Sequence, residues 1–503
     1  MAKICLCLTG KTIAKNLEVL EKYRKYVDIA ELRVDFLDPD ERFLIRRFPE
    51  LAGLPVILTI RRFMDGGNFV GGEGSRISLF SKGLAFAEAD RRHNFAYVDL
   101  EDDLNVPSLE EAARTFGTRI IRSYHNLQGI GEDPAGRLRN MFHVGDEIAK
   151  AAVMPQSFED VRRVYQAARE TAGKEKILLC MGHLGISTRI LAEYLGCYLS
   201  YTAALEEKDF PPGAPGQLSP RDLVELYRFR NISSKTKLYG ILGYPLNITS
   251  SPEFFNTVFS SEKIDAVYVP FPSDSVEAFM QFAGEVNLAG ASVTIPYKEK
   301  VLPYLGHKTA EVESLGACNT LICGPQGWSG ANTDAHGFSD SLLAFTGRRD
   351  FKRMRISIIG AGGVARAVAA EIFRLKGKAL VLNRTQIRAR ELAAPYRFAW
   401  GCLDARGAEL MNGYNDIIIQ TTSVGMDPDL EGDPLDLYSF SGTEVVMDLI
   451  YKPERTRFLT RAAAAGCKVL NGHDMLIRQA KYQYSCFFGK EYPSKLVSRE
   501  WIK

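Results

Sequence analysis

Short runs of apolar and β-branched residues recur through the first 205 positions, each followed by a stretch with helical spacing. The runs are ICLCLT (4–9), DIAELRVD (28–35), PVILTIR (55–61), AYVDLE (96–101), TRIIRSYH (118–125), EIAKAAV (147–153), KILLCMG (176–182) and CYLSYTA (197–203). Between them lie segments such as SFEDVRRVYQAARETA, whose apolar positions fall three and four apart. Eight strands, most of them about 20–30 residues apart, with helices between, predict an α/β fold of the (β/α)8 TIM-barrel type. The same periodicity also describes a doubly wound sheet, so the polar positions have to sharpen the choice.

Those positions cluster late in the strands: Glu31 and Arg33, Arg61, Asp99 and Glu101, His125, then Lys150. Barrel active sites are built at the C-terminal ends of strands, where side chains from different strands converge. Strand residues two apart share a face, so Glu31, Arg33 and Asp35 align. By the same rule Lys150 points with Ile148 and Ala152, while Ala149, Ala151 and Val153 suit packing against outer helices. Lys150 is therefore predicted to face inward, with no carboxylate beside it in sequence. One reading is a structural lysine at the barrel rim or paired with a carboxylate such as Glu101. The other is chemical. Burial and neighbouring cations disfavour an ammonium ion, and a neutral amine forms a Schiff base with a ketone or aldehyde. The iminium then draws electrons from the next carbon, and His125, one strand earlier, is placed to move the proton.

The blocks ELRVD, SYHN, EIAKAAVMPQS, MGHLGISTR and GAPGQ, in that order, resemble type I 3-dehydroquinate dehydratases over roughly residues 1–225. The resemblance implies that Lys150 is the Schiff-base lysine and His125 the general acid and base. It also implies that Glu31, Arg33, Arg61, Arg189 and Gln217 hold the substrate's hydroxyls and carboxylate. Gln217 lies in FPPGAPGQLS, a Pro/Gly-rich loop after the last strand that reads as a lid. Two positions depart from the family: Asp65 stands where glutamate is usual, and Gly213 where a serine often is.

After a polar turn, NISSKTK, the chain restarts with the strand KLYGILGYP, which places the barrel domain at 1–228. Further on, in RISIIGAGGVARAVAAEIFRLKG, Gly360, Gly362 and Ala365 fit GxGxxG/A between an apolar strand and a helix. That context predicts a dinucleotide site with pyrophosphate at the helix N-terminus. The next strand ends ALVLNRT, offering Asn383, Arg384 and Thr385 and no carboxylate for a ribose 2′-hydroxyl. A guanidinium there suits a 2′-phosphate, so NADP(H) is expected, with Arg388 as a further basic group. Residues 236–335 form a smaller α/β unit carrying Lys298 and Asp334. Each alone reads as an ordinary surface or turn residue. Beside a hydride-binding domain they suggest a proton-relay pair for reducing a ketone.

The blocks YGILGYP, VTIPYKE, GACNTL, NTD, GAGGVARA, NRT, TTSVGM, MDLIYKPERTRFL and GHDMLIRQA resemble shikimate dehydrogenases over about residues 237–503. The resemblance places Lys298 and Asp334 in the catalytic pair and Thr249, Ser251, Thr294, Asn319, Tyr451 and Gln479 around the substrate. It extends the nucleotide contacts from Gly360 through Ala361, Gly362, Gly363, Val364 and Ala365 to Thr422, Gly425, Met426 and Gly472. The implied organisation is a substrate lobe at 236–340, completed by 471–503, around a Rossmann-type NADP domain at 341–470. Thr249 replaces one of a usual pair of serines, Ser292 stands for an asparagine and Ile248 for a histidine. These positions bear on shikimate against quinate selectivity.

Composition narrows the picture further. Of 503 residues, 46% are apolar and 25% charged, as in soluble globular proteins. Lys and Arg total 63 against 61 Asp and Glu, and that balance argues against nucleic acid as a partner. Nine cysteines without a CxxC pair do not make a zinc site, and no metal is called for. The N-terminus MAKICLCLTG reads as a strand, and no apolar stretch approaches the ~18 residues of a membrane span. The expectation is a soluble cytoplasmic enzyme acting on 3-dehydroquinate, 3-dehydroshikimate and shikimate in two consecutive steps. A class I aldolase-type enzyme, a quinate dehydrogenase and a ligand sensor that has lost catalysis are the rivals. Retention of Lys150, His125, Lys298 and Asp334 argues against the last.

Overall fold

The computed structural model describes residues 1–85, 90–142, 146–246 and 249–493. Parallel strands β1 (Lys3–Leu8), β2 (Ile29–Arg33), β3 (Val56–Thr59), β4 (Tyr97–Glu101), β5 (Arg119–Asn126), β6 (Ile148–Val153), β7 (Lys176–Cys180) and β8 (Leu199–Ala203) form one sheet. Their order, β7-β6-β5-β4-β3-β2-β1-β8, is that of a barrel. It closes between β7 and β8 through a bridge of Lys176 with Cys197 and a bond from Tyr198 N to Lys176 O at 2.7 Å. Each predicted run coincides with one of these strands. Alternate residues fill the interior: Cys5, Ile29, Ile57, Tyr97, Ile121, Ile148, Ile177 and Leu199 pack in one cluster. Lys150, between Ile148 and Ala152, shares that inward face, as the two-residue period requires.

A second sheet contains β9 (Lys237–Gly243), β10 (Ala266–Pro272), β11 (Gly290–Val293), β12 (His307–Lys308), β13 (Thr320–Gly324) and β14 (Gly327–Ala331). Its order is β10-β9-β11-β13-β14-β12. The third sheet is parallel throughout: β15 (Arg355–Ile359), β16 (Lys378–Asn383), β17 (Ala399–Cys402), β18 (Ile417–Gln420), β19 (Val445–Asp448) and β20 (Lys468–Leu470). The order β17-β16-β15-β18-β19-β20 is the Rossmann order, with a topological switch between β15 and β18. Its strands are near-continuous apolar runs because helices cover both faces. On one face Ile356, Ile358, Val381 and Ile419 pack with Ala365, Val368 and Ile372 of the helix Gly363–Arg374.

The chain divides into two compact units, Met1–Ile241 with Phe255–Asn287, and Leu242–Phe254 with Leu288–Lys503. Within the first, the barrel helix Phe158–Glu170 packs on the helix Val276–Glu285. The Phe282 ring lies edge-on to Phe158 at 5.2 Å and to Tyr165 at 4.9 Å. Polar contacts flank the rings: Phe158 N donates to Asp274 Oδ1 at 2.9 Å, and Gln166 Nε2 to Glu285 Oε1 at 3.1 Å. Arg162 also pairs with Glu285. All three rings are fully buried, and each buried aromatic side chain contributes about 2–3 kcal/mol by area.

Candidate active sites

Lys150 Nζ, buried in the barrel, donates to Asp99 Oδ2 at 2.7 Å. Arg61 Nη2 and Ser123 Oγ donate to the other oxygen of Asp99, at 2.7 and 2.6 Å. Burial pushes the Asp99 carboxyl up, but Arg61 and Lys150 outweigh it and hold the group well below the usual carboxylate range. Glu101, the partner the sequence suggested, instead binds Arg61 Nη1 and Arg76 Nη1, at 2.7 and 2.6 Å. The reason is strand tilt. Register matches Lys150 to Ser123 and Ser123 to Glu101. A barrel of shear 8 steps the height by about one residue per strand. Two strands across, the residue level with Lys150 is therefore two positions earlier, at Asp99.

His125 comes from β5, and its Nδ1 is buried without a hydrogen-bond partner among the described residues. Burial, then the Arg61 and Lys150 charges, hold the imidazole well below its usual value, so it is neutral near pH 7. Arg189 Nη2 donates to Pro215 O at 3.0 Å, whereas its buried Nε and Nη1 have no partner among the described residues. Burial lowers this guanidinium to about 10. Idle buried donors on a cation are costly until a ligand meets them, and a carboxylate fits that fork.

Glu31 accepts from Thr59 Oγ1 and Cys7 Sγ, both at 2.9 Å. Arg33 forks onto Asp35 at 2.9 and 2.7 Å. Gln217 Nε2 donates to Cys7 Sγ at 3.1 Å, tying its loop to β1. Lys150, His125, Glu31, Arg33, Arg61, Arg189 and Gln217 all line one cavity of about 70 Å³. Asp65 lines it too, accepting from Arg62 Nε at 2.6 Å. Gly213 has a steric reason: a Cβ there would stand 3.0 Å from Arg33 Nη1 and 3.3 Å from Cys7 Cβ. Asp99 stands among the late-strand polar positions read from sequence, but not as the partner of Lys150, and Cys7 and Tyr201 were not singled out at all. The signal for each is its place on the inward face of a strand, two residues from another interior side chain.

The second constellation lies in the second unit. Lys298, in the turn after β11, donates from Nζ to Asp334 Oδ2 at 2.6 Å. Asp334 opens the helix Asp334–Thr346, and Asn319 Nδ2 holds its other oxygen at 2.9 Å. Gln479, on the helix His473–Phe488, accepts from Thr333 Oγ1 at 3.3 Å and Asn319 Nδ2 at 3.4 Å. Lys298, Asp334, Asn319 and Gln479 thus form one hydrogen-bonded cluster. Thr249 and Ser251 form another group, at the start of the helix Ser251–Ser261, where Ser251 N donates to Thr249 Oγ1 at 3.2 Å. Tyr451 joins it through a backbone hydrogen bond at Ser250. Thr294 N donates to Leu242 O at 2.9 Å. Ser292 Oγ donates to Gln483 Oε1 at 2.9 Å. Ile248 lies outside the described residues.

The glycine loop sits at the topological switch. Gly360 follows β15 with φ +112°, and a Cβ on it would stand 2.5 Å from Thr421 Oγ1, so only glycine fits. Gly362 caps the helix Gly363–Arg374 with no side-chain hydrogen bond, so the N–H groups of the first turn could meet a ligand's phosphate. A Cβ on Gly363 would be 3.5 Å from Lys298 Cβ, so the helix starts against the lysine. Ala361 and Val364 complete the turn and Ala365 packs inward. At the end of β16, Asn383 Nδ2 donates to Thr385 O at 2.9 Å, and Arg384 is exposed. Across the switch, Thr422 Oγ1 accepts from Val424 N at 3.2 Å, Gly425 has φ +97°, and Met426 is half-buried. Gly472 has a packing reason: its Cβ would stand 2.1 Å from Leu449 O. This crevice, a glycine cradle beside a guanidinium, fits NADP(H).

The family model for type I 3-dehydroquinase matches residues 4–234, and that for the shikimate dehydrogenase substrate binding domain matches residues 241–321. The solved shikimate 5-dehydrogenase of Thermus thermophilus, in complex with NADP(H) and shikimate, aligns with 51% of this chain and 95% of its own at 29% identity and a TM-score of 0.46. The shikimate dehydrogenase (NADP(+)) of Maridesulfovibrio salexigens is 35% identical over 263 residues, 52% of this chain and 94% of its own. The chloroplastic bifunctional 3-dehydroquinate dehydratase/shikimate dehydrogenase of Arabidopsis thaliana is 29% identical over 519 residues, 98% of this chain and 83% of its own. The chain belongs to the shikimate dehydrogenase family, with a type I 3-dehydroquinase domain as its first half.

Proposed function

We propose that Lys150 forms the imine and His125 carries the proton in one reaction, and that Lys298 with Asp334 serves a second. The enzyme is bifunctional: it dehydrates 3-dehydroquinate to 3-dehydroshikimate and then reduces that ketone to shikimate with NADPH. The observation that carries the reading of the first site is the buried lysine sharing a cavity with a neutral histidine and an Arg189 whose Nε and Nη1 are idle among the described residues.

In this account Arg189 takes the substrate carboxylate and sets the ketone against Lys150. His125, as the free base, takes one proton from Lys150, whose amine then adds to the carbonyl carbon; the oxygen takes that proton from His125 and a second from the nitrogen and leaves as water, so that one positive charge stays on the iminium nitrogen. His125 removes a proton from the adjacent carbon, giving an enamine. The hydroxyl on the next carbon then departs as water, taking its proton from His125, and the iminium re-forms conjugated to the new double bond. Hydrolysis returns the amine and the product ketone, so the net change is loss of one water.

His125 must enter as the free base, and its lowered pKa keeps that form as pH falls. Dehydratase kcat/KM is therefore expected to stay level from about pH 8 to about pH 6 as far as His125 governs it. A fall that begins at the ordinary 6.5, traced to His125 by its NMR titration, would contradict this.

In the second site NADPH, when bound, supplies a hydride to the ketone carbon. The Lys298 ammonium donates a proton to the oxygen as charge develops there. Asp334 keeps the ammonium in place, and Asn319 fixes Asp334. Arg384 reads the 2′-phosphate in this account. Arg384→Ala is expected to raise the KM for NADPH at least about tenfold and that for NADH little, from the loss of a charge-assisted pair. Equal effects on both cofactors would remove that role. The reading also takes the enzyme to be cytoplasmic, as nine free cysteines support. The overall test is NADPH consumption by the full chain supplied with 3-dehydroquinate alone. Shikimate as product is expected; no consumption, or turnover of sugar phosphates instead, would sink the proposal.

A further inference from the structure

Tyr201 comes from β8 into the barrel interior and lines the same cavity as Lys150. Lys150 Nζ lies over its ring, 4.4 Å from the centroid. The Tyr201 hydroxyl is buried and has no hydrogen-bond partner among the described residues. Among the neighbours of the lysine nitrogen are thus the Asp99 carboxylate at 2.7 Å and an aromatic face.

We propose that Tyr201 is a catalytic residue of the dehydration, its ring face bearing on the Lys150 nitrogen and its hydroxyl presented to the substrate. The assignment rests on Lys150 being the imine-forming group. An ammonium has three hydrogens to donate, but the iminium nitrogen keeps one, and Asp99 can accept it. Any other group that stabilises the iminium charge must act without receiving a hydrogen bond. A ring face does so, because its negative quadrupole attracts the charge itself and makes no demand on N–H direction. The hydroxyl is a buried donor in search of an acceptor, and a substrate oxygen in the cavity would supply one. Burial, with Glu31 and Asp99 nearby, pushes the phenol well above its usual value, so it remains a donor across the working pH range.

The test compares full-length chains with tyrosine, phenylalanine or 3,4,5-trifluorophenylalanine at position 201. Fluorination weakens the ring's quadrupole at nearly constant shape. Dehydratase kcat and KM are measured with 3-dehydroquinate, and borohydride-trapped adduct at Lys150 is measured by peptide mass. Tyr201→Phe is expected to raise KM severalfold with trapping retained; an unchanged KM would remove the hydroxyl contact. The trifluoro ring is expected to lower kcat about three- to thirtyfold relative to phenylalanine, with a matching fall in trapped adduct. Equal kcat and trapping in the two would overturn the role of the ring. Absence of adduct at Lys150 in the tyrosine chain during turnover would instead defeat the imine reading itself, so the two failures are distinct.

Discussion

Lys150→Ala is expected to lower dehydratase turnover by about four orders of magnitude while NADPH-dependent reduction of 3-dehydroshikimate stays within about twofold. The size follows from what is lost. Without the amine there is no covalent electron sink, and the proton beside the ketone must be removed from the neutral carbonyl compound. The fold should survive, because Asp99 keeps Arg61 and Ser123 as partners when the lysine is gone. Borohydride added to the unaltered enzyme with 3-dehydroquinate should add substrate mass to the peptide containing Lys150 and to no other. An adduct elsewhere, or none despite full turnover, would sink the assignment, as would a variant retaining a tenth of parental turnover.

Lys298→Met should give the mirror result: ketone reduction falls about a thousandfold in kcat with KM changed only a few-fold, and dehydration is retained. In the proposed reaction Lys298, paired with Asp334 at 2.6 Å, is the charged donor that meets the negative charge developing on oxygen. That interaction belongs mainly to the transition state, so its loss appears in kcat. Supplied with 3-dehydroquinate and NADPH, this variant should accumulate 3-dehydroshikimate and consume almost no cofactor. Undiminished shikimate formation would show that Lys298 is not the proton donor. A loss confined to KM would make it a binding group only.

The parts of both sites that repeat along the chain were legible in the sequence, and the parts set by tertiary geometry were not. Lys150 could be assigned to the interior because strand side chains alternate strictly, and Ile148 and Ala152 mark the inner face. Its partner could not, because matching Asp99 instead of Glu101 to Lys150 depends on the tilt of the whole barrel. Gly360 was readable because a strand–turn–helix needs a positive φ at a fixed place. The grouping of Thr249, Ser251 and Tyr451 joins segments about 200 residues apart through side-chain and backbone bonds that no local pattern encodes. Cys7 and Tyr201 were passed over for a different reason. In a strand an apolar-looking residue facing a cavity has the same spacing as one facing a packed core.

Phe158 and Tyr165 looked like ordinary apolar positions of a barrel helix, yet Phe282 from beyond residue 255 covers both. The junction near residue 235 is therefore a poor place to sever the protein. A gene split there would translate a barrel with two bare aromatic rings and a partner fragment with a third. Such pieces would be prone to stick to one another and to strangers. Coexpression, not separate purification, is the fair way to ask whether two polypeptides can replace the one.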